Sequence, residues 1–200
     1  MAQMTQTLTP PASLALNLRA LELSEAQFGR VAADNPELRL ELTAEGELIV
    51  MPPTGVETGR RNSRITQRLL NWADGAGGVV FDSSTGFTLP NGAKRSPDAA
   101  WIRSERYDAL TKTQKEGFAL ITPDFVLELR SPTDSLNVLE AKLTEYITSG
   151  ARLGWLLDPQ TRRVHIYRPG QAAEVPENPD LVSGEDVLKG FELQVLEVWG

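Results

Sequence analysis

No cysteine occurs in the 200 residues, which excludes disulfides, thiolate metal sites and cysteine nucleophiles together. That absence suits a reducing cytosol, and the sequence is read as cytoplasmic. Histidine is nearly absent as well, the one copy being His165. With no second His and no Cys, nothing completes a zinc site around it. Its place between Val164 and Ile166 in an alternating run predicts a side chain facing solvent. No run approaches the roughly 20 apolar residues of a membrane span, and Met1 to Leu18 lack the basic and apolar blocks of a signal peptide. A basic excess is missing too. The 27 acidic and 20 basic residues give a formal net charge of -7, so the surface as a whole repels a phosphate backbone. This counts against a simple nucleic-acid coat protein. It leaves room for a nuclease, because carboxylates gathered in one site add negative charge that a divalent cation offsets. Gly75, Gly77 and Gly78 complete neither a dinucleotide-binding turn nor a Walker A loop. Ser83, Ser84 and Ser131 lack the flanking glycines of a nucleophile elbow. No helix-turn-helix, zinc finger or aromatic stacking array is visible.

What is present reads as ordinary globular composition without repeats, long enough for one domain. Residues 1–20, rich in Thr, Pro and Ala, are expected to form a flexible arm, with a single domain over 21–200. Ser24 is placed to cap a short helix with Phe28 and Val31 inward. Leu38 to Thr43 alternates apolar and polar residues and, with Leu48 to Met51, reads as a hairpin. Ile65, Leu69 and Trp72 recur at helical spacing from Glu57 to about Ala73, and Gly75 to Gly78 end that helix. Val79–Asp82, Gly86–Leu89 and Ser96–Ile102 follow as a three-stranded meander, the last two joined through Asn91-Gly92. A helical patch from Glu105 to Lys115 leads to Phe125–Leu129, apolar enough for a central strand covered on both faces. Leu136, Leu139, Leu143 and Ile147 form one helical stripe after a cap at Asp134 or Ser135, and Leu153–Leu157 and Arg163–Tyr167 return as strands. The strand, helix, strand order over 124–157 predicts a parallel pair with the helix across it. The class is α/β, a mixed β-sheet with flanking helices and a strand-rich N-terminal half.

Strand parity puts Val126, Glu128 and Arg130 on one face and Phe125, Leu127 and Leu129 on the other. An acid inside so apolar a strand requires a partner or a metal. Asp98, after Pro97 at a strand edge, supplies a second hard oxygen donor, and the two would suit Mg²⁺ or Mn²⁺. Lys142, two turns into the next helix, can reach back over both carboxylates to orient a water or stabilise charge. Arg130 is permanently protonated and can only stabilise charge. A buried ion network without chemistry would use the same residue types. Arg60, Arg64 and Arg68 fall at i, i+4, i+8 beside Arg61, either as a phosphate-binding stripe or as a solvated face.

Pro97-Asp98, Glu128-Leu-Arg-Ser-Pro132, Lys142-Leu-Thr-Glu-Tyr146 and Gly154-Trp-Leu-Leu-Asp158-Pro, with Pro53-Thr-Gly55, Glu57 to Asn62 and Phe81 to Ser84, resemble a known family. It is the putative restriction endonuclease family of the PD-(D/E)XK nuclease superfamily, long filed as a domain of unknown function, and the likeness spans about 20–200. The resemblance implies a restriction-endonuclease-like fold, metal binding by Asp98 and Glu128, and a lysine assisting the attacking water. Arg130 stands where the superfamily pattern has lysine, and Lys142 matches the version in which that lysine moves to the next helix. It also suggests Glu57, at the start of the first long helix, as a further ligand; an acid there is equally favoured by the helix dipole. The implied activity is Mg²⁺- or Mn²⁺-dependent hydrolysis of phosphodiester bonds in DNA, with Arg60, Arg64 and Arg130 as phosphate contacts. A homodimer would be natural for cutting both strands. The alternative is a nuclease-fold module without efficient chemistry that binds nucleic acid or a protein partner.

Overall fold

The computed structural model describes residues 13–199. Of the expected N-terminal arm, residues 1–12 lie outside that range, while β1 (Leu14–Asn17) is a strand at the edge of a sheet, paired with β3. After a 3-10 turn at Arg19–Leu21 comes α1 (Glu25–Asp34). Ser24 caps α1 with a reciprocal box: its hydroxyl accepts from Gln27 N while the Gln27 side chain accepts from Ser24 N at 2.8 Å. Phe28 is buried beneath it. The hairpin forms from β2 (Arg39–Leu42) and β3 (Glu47–Met51), with Leu40, Leu42 and Leu48 inward.

The long amphipathic helix α2 (Val56–Ala76) buries Ile65, Leu69 and Ala73 and ends at Gly77. Both Gly77 and Gly78 have left-handed φ near +85°. A Cβ at Gly78 would collide with the Trp101 indole, whose Nε1 donates to Gly77 O at 3.0 Å. Gly78→Ala is therefore expected to destabilise the fold by about 2–4 kcal/mol, combining left-handed strain with overpacking, as read from urea denaturation.

The next region departs from the expected meander. β4 (Val79–Asp82) pairs with β7 (Ala99–Ile102), whereas β5 (Phe87–Thr88) pairs with β6 (Lys94–Arg95) in the other sheet. The Asn91-Gly92 turn does close the β5–β6 hairpin, with Gly92 N donating to Leu89 O. Ser96-Pro97-Asp98 then carries the chain from one sheet to the other. Pro97 has no N–H to continue the first ladder, so a change of sheet costs little there. Short helices α3 (Ser104–Asp108) and α4 (Lys112–Lys115) precede β8 (Ala119–Leu120), a short strand the sequence reading did not contain.

β9 (Phe125–Leu129), α5 (Leu136–Thr148) and β10 (Leu153–Asp158) form the expected unit, with β9 and β10 parallel and in register from Phe125–Leu153 to Leu129–Leu157. β11 (Arg163–Tyr167) adds antiparallel to β10. A two-stranded sheet of β12 (Leu181–Ser183) and β13 (Glu192–Gln194), then α6 (Leu196–Trp199), complete the order. The large sheets run β1-β3-β2-β6-β5-β8 and β11-β10-β9-β7-β4. One face of the five-stranded sheet packs Phe125, Leu127, Leu129 and Trp155 against α2 and the C-terminal segment; the other packs Val126 and Leu156 against Leu143 and Tyr146 of α5. Each such buried side chain contributes roughly 1.5–3 kcal/mol. The same parity directs Glu128 toward α5.

His165 corrects an expectation. It is buried rather than solvent-facing, because α5 covers that side of β11 and brings Glu140 Oε1 to 3.2 Å from His165 Nδ1. Burial lowers its pKa against the pull of Glu140.

Candidate active site

Asp98 and Glu128 meet at the open end of the β7–β9 ladder. Ala99 pairs with Leu127, so the next step outward sets Asp98 opposite Glu128, where facing Cβ atoms are about 5 Å apart. The carboxylate of Asp98 is fixed from two elements. Its Oδ2 accepts from Leu129 N at 2.8 Å and its Oδ1 from Asn62 Nδ2 of α2 at 3.1 Å. Glu128 is 3% exposed, and its Oε1 has no aligned hydrogen-bond donor although Lys142 Nζ lies 2.8 Å away.

Lys142 comes in from α5, 9% exposed, with its ammonium shared between two acids. One is Glu128; the other, also at 2.8 Å, is Glu41 of β2. The ammonium also donates to Ser96 O at 3.3 Å. Glu41 is 2% exposed and fully engaged: Oε1 accepts from Ser96 N at 2.9 Å and Oε2 from Arg95 Nη1 at 3.1 Å. Arg95 in turn donates to Glu145 Oε2 at 2.6 Å. The chain of charges thus runs Glu145, Arg95, Glu41, Lys142, Glu128.

The electrostatics of the two acids diverge. Burial opposes ionisation of Glu41, but Lys142, Arg95 and the Ser96 amide outweigh it and hold its pKa below the usual value. Glu128 has one cation and two acidic neighbours. Burial, reinforced by Asp98 and Glu41 and opposed by Lys142, pushes its pKa up to about 8. Asp98 is raised for the same first reason, with the Leu129 amide pulling the other way. Burial disfavours the Lys142 ammonium, yet Glu128 and Glu41 keep its pKa above the ordinary lysine value.

These groups line a cleft of about 950 Å³ between β2–β3, the Pro52–Thr58 segment and the start of α5. A smaller recess of about 440 Å³, walled by Asn62, Thr66, Gln67, Asn71 and Ser83, meets the cleft at Asp98. The structure brings Asp98, Glu128 and Lys142 together, and places the other candidates elsewhere. Glu57 sits on the cleft rim, 55% exposed, held by Arg60 at 2.7 Å and Arg61 at 3.3 Å. Arg60 is therefore occupied by Glu57, whereas Arg64 donates to Gln67 Oε1 and forms no ion pair among the described residues. Arg68 pairs with Glu197 of α6. Arg130 projects to Asp158 of β10 at 2.8 Å and does not line the cleft.

Glu41 was not singled out from the sequence. Alternation in Leu38–Thr43 does put Arg39, Glu41 and Thr43 on one face, but such a face is ordinarily solvated, and Glu41 is buried because Arg95, Ser96 and Lys142 close over it.

The donor set fits a hard divalent cation of modest protein ligation. Among the described residues no three His, Asp or Glu side chains converge on a common point, so Asp98 and Glu128 would be the protein ligands, with water and substrate completing the shell. The raised pKa of Glu128 marks a buried carboxylate for which one ammonium, shared with Glu41, does not offset burial and two acidic neighbours.

A mixed sheet with flanking helices and clustered acids at a strand end defines a nuclease-type α/β fold. The chain superposes with a TM-score of 0.71 on the crystal structure of a "putative nuclease belonging to DUF820" from Anabaena variabilis, at 23% identity over 82% of this chain and 90% of that one. Residues 25–196 match the Uma2 family, described as "Putative restriction endonuclease", and the chain belongs to that family. No curated protein matches it significantly. No helix is long and apolar enough to cross a membrane among the described residues.

Proposed function

We propose that the protein is a metal-dependent endonuclease that hydrolyses phosphodiester bonds of DNA. The observation that carries this reading is Asp98 facing Glu128 at a strand end inside a large cleft, with the Lys142 ammonium 2.8 Å from Glu128. The family's description as a restriction endonuclease supports DNA as the substrate. Asp98 and Glu128 would hold Mg²⁺ or Mn²⁺, and the ion would supply activation of water and relief of the charge that builds at phosphorus. Asp98 keeps one orientation because Leu129 N and Asn62 Nδ2 fix its two oxygens. Lys142 acts as a hydrogen-bond donor and not as a base, since two carboxylates keep it protonated. Its ammonium orients the attacking water and stabilises the oxyanion that forms. Arg64, which forms no ion pair among the described residues and donates to Gln67 of the recess wall, could turn its guanidinium to a phosphate there. The cleft and the recess give a strand a path to either side of Asp98. Two copies acting as a dimer would cut both strands of a duplex.

Supercoiled plasmid incubated with the purified protein and Mg²⁺ or Mn²⁺ tests this. Nicked and linear products that disappear with a chelator support the proposal, and intact plasmid under every metal sinks it. The recess should act on binding alone. Gln67→Ala with Asn71→Ala is expected to raise KM about three- to tenfold with kcat unchanged, since each deletion removes one neutral hydrogen bond.

A further inference from the structure

We propose that Glu41 is a positioning residue, keeping the Lys142 ammonium over the site when Glu128 turns its carboxylate to the cation. The inference rests on the nuclease reading and adds a residue outside the metal-binding pair.

The problem it solves is geometric. Without metal, Glu128 and Glu41 hold Lys142 from two sides at the same 2.8 Å. A cation between Asp98 and Glu128 claims the Glu128 carboxylate, and positive charge then stands next to the Lys142 ammonium. Like charges placed side by side in a site poor in water repel far more strongly than they would in bulk solvent. A four-carbon stem with free rotamers would swing away unless something on the far side retained it. Glu41 is the only other carboxylate within ion-pair distance among the described residues.

Glu41 is built for holding and not for ligation. Two cations already neutralise it, Lys142 on Oε1 beside Ser96 N and Arg95 on Oε2, whereas Asp98 is held by neutral donors alone and keeps its charge for a cation. Glu128 differs, because Lys142 is its one ion-pair partner among the described residues and its Oε1 accepts no aligned hydrogen bond. Lys142 also stands between the two acids, so a cation bound to Glu128 meets the lysine before it meets Glu41. Glu41 sits in a strand paired on both sides, by β3 and β6, and Arg95 is itself tied to Glu145 of α5, the helix that carries Lys142. The anchor and its cargo are therefore fastened to each other twice, once through Lys142 and once through Arg95.

The test uses Glu41→Gln, which keeps the shape and removes the charge. In plasmid cleavage kcat is expected to fall on the order of 10–100-fold. KM, and the Mn²⁺ affinity from calorimetry, are expected to stay within about twofold. A second readout needs no activity: the chain has five lysines, so the ¹⁵Nζ signal of Lys142 is readily assigned. In the parent protein it should remain protected from exchange both before and after Mg²⁺ is added; in Glu41→Gln it should vanish on metal addition. Unchanged kcat in Glu41→Gln, or loss of the parent signal on adding Mg²⁺, overturns the inference. A drop in Mn²⁺ affinity beyond about 100-fold also overturns it, by exceeding what an outer partner of a metal site costs and marking Glu41 as a ligand. If Glu41→Gln does not fold, the parent signal with and without Mg²⁺ still decides the matter. A parent protein that neither binds metal nor cleaves sinks the nuclease reading, whereas a cleaving parent with an indifferent Glu41→Gln sinks this inference alone.

Discussion

Glu128→Gln is expected to lower cleavage by at least about 10³-fold and, in the metal-free protein, to remove a pH-dependent instability. The two effects share one cause, a carboxylate buried where only a bound cation makes its charge comfortable. With a folded-state pKa of about 8 against an ordinary 4.5, Glu128 binds more protons in the folded protein than in the unfolded chain over that window. The parent's stability contribution from this group is therefore greatest at low pH and declines as pH rises from 4.5 to 8. Glutamine cannot titrate, so the gap between variant and parent melting temperatures should move in the variant's favour from pH 5 to pH 8 in chelator. Mn²⁺ at pH 8 should raise the parent's melting temperature by mass action and leave that of Glu128→Gln in place. Melting curves that run parallel at every pH would refute the assignment of that instability to Glu128. Asp98→Ala should match Glu128→Gln in activity, because each would remove one of the two proposed metal ligands.

Lys142→Met, nearly matched in shape, is expected to cost about 3–5 kcal/mol at pH 8, the loss that follows when one member of a buried ion pair is removed. For a chain of this size that corresponds to roughly 6–20 °C in melting temperature. Glu41 and Glu128 would then face each other's charge in a site that excludes water. Protonation relieves that repulsion, so the loss should shrink as pH falls toward 5. Lys142→Met combined with Glu128→Gln should be less unstable at pH 8 than Lys142→Met alone, and denaturant titration of the three variants measures that coupling. A cost below about 1 kcal/mol at pH 8 would place Lys142 among ordinary surface lysines, contrary to its burial.

Elements whose own periodicity matches their burial were legible in the sequence: the β2–β3 hairpin, α2, β9, α5, β10 and β11, with the parallel pairing of β9 and β10. What failed depended on which layer covers which face. Ser96–Ile102 reads as one strand pairing back on Gly86–Leu89, yet the partner there is the preceding Lys94–Arg95 (β6), while only Ala99–Ile102 (β7) is a strand and it pairs with β4 in the other sheet; nothing local says that β6 and β7 have different partners. β1 is composed like a linker and is a strand because β3 offers it an open edge. His165 and Glu41 were misjudged or passed over for one reason: alternation assigns a residue to a face, while side chains from other elements, Glu140 of α5 over His165 and Arg95 and Lys142 over Glu41, decide whether that face sees water. Asp98, Glu128 and Lys142 were named because an acid in an apolar strand needs a partner. Arg130 shares Glu128's parity but sits just beyond the strand end, where Asp158, the last residue of β10, lies closer than the cleft. Glu57 stands at a helix start with Arg60 and Arg61 one turn away, and those local pairs engage it first.

Ser96-Pro97-Asp98 is the seam where the two sheets meet, and each side of the seam supplies part of the charged cluster. Glu41 and Arg95 arrive early in the chain, Glu128 and Lys142 late. During synthesis the ribosome delivers Glu41 about a hundred residues before Lys142, so the two halves of the cluster cannot meet while the chain is still short of α5. These buried charges therefore find their partners only as the two layers close on each other.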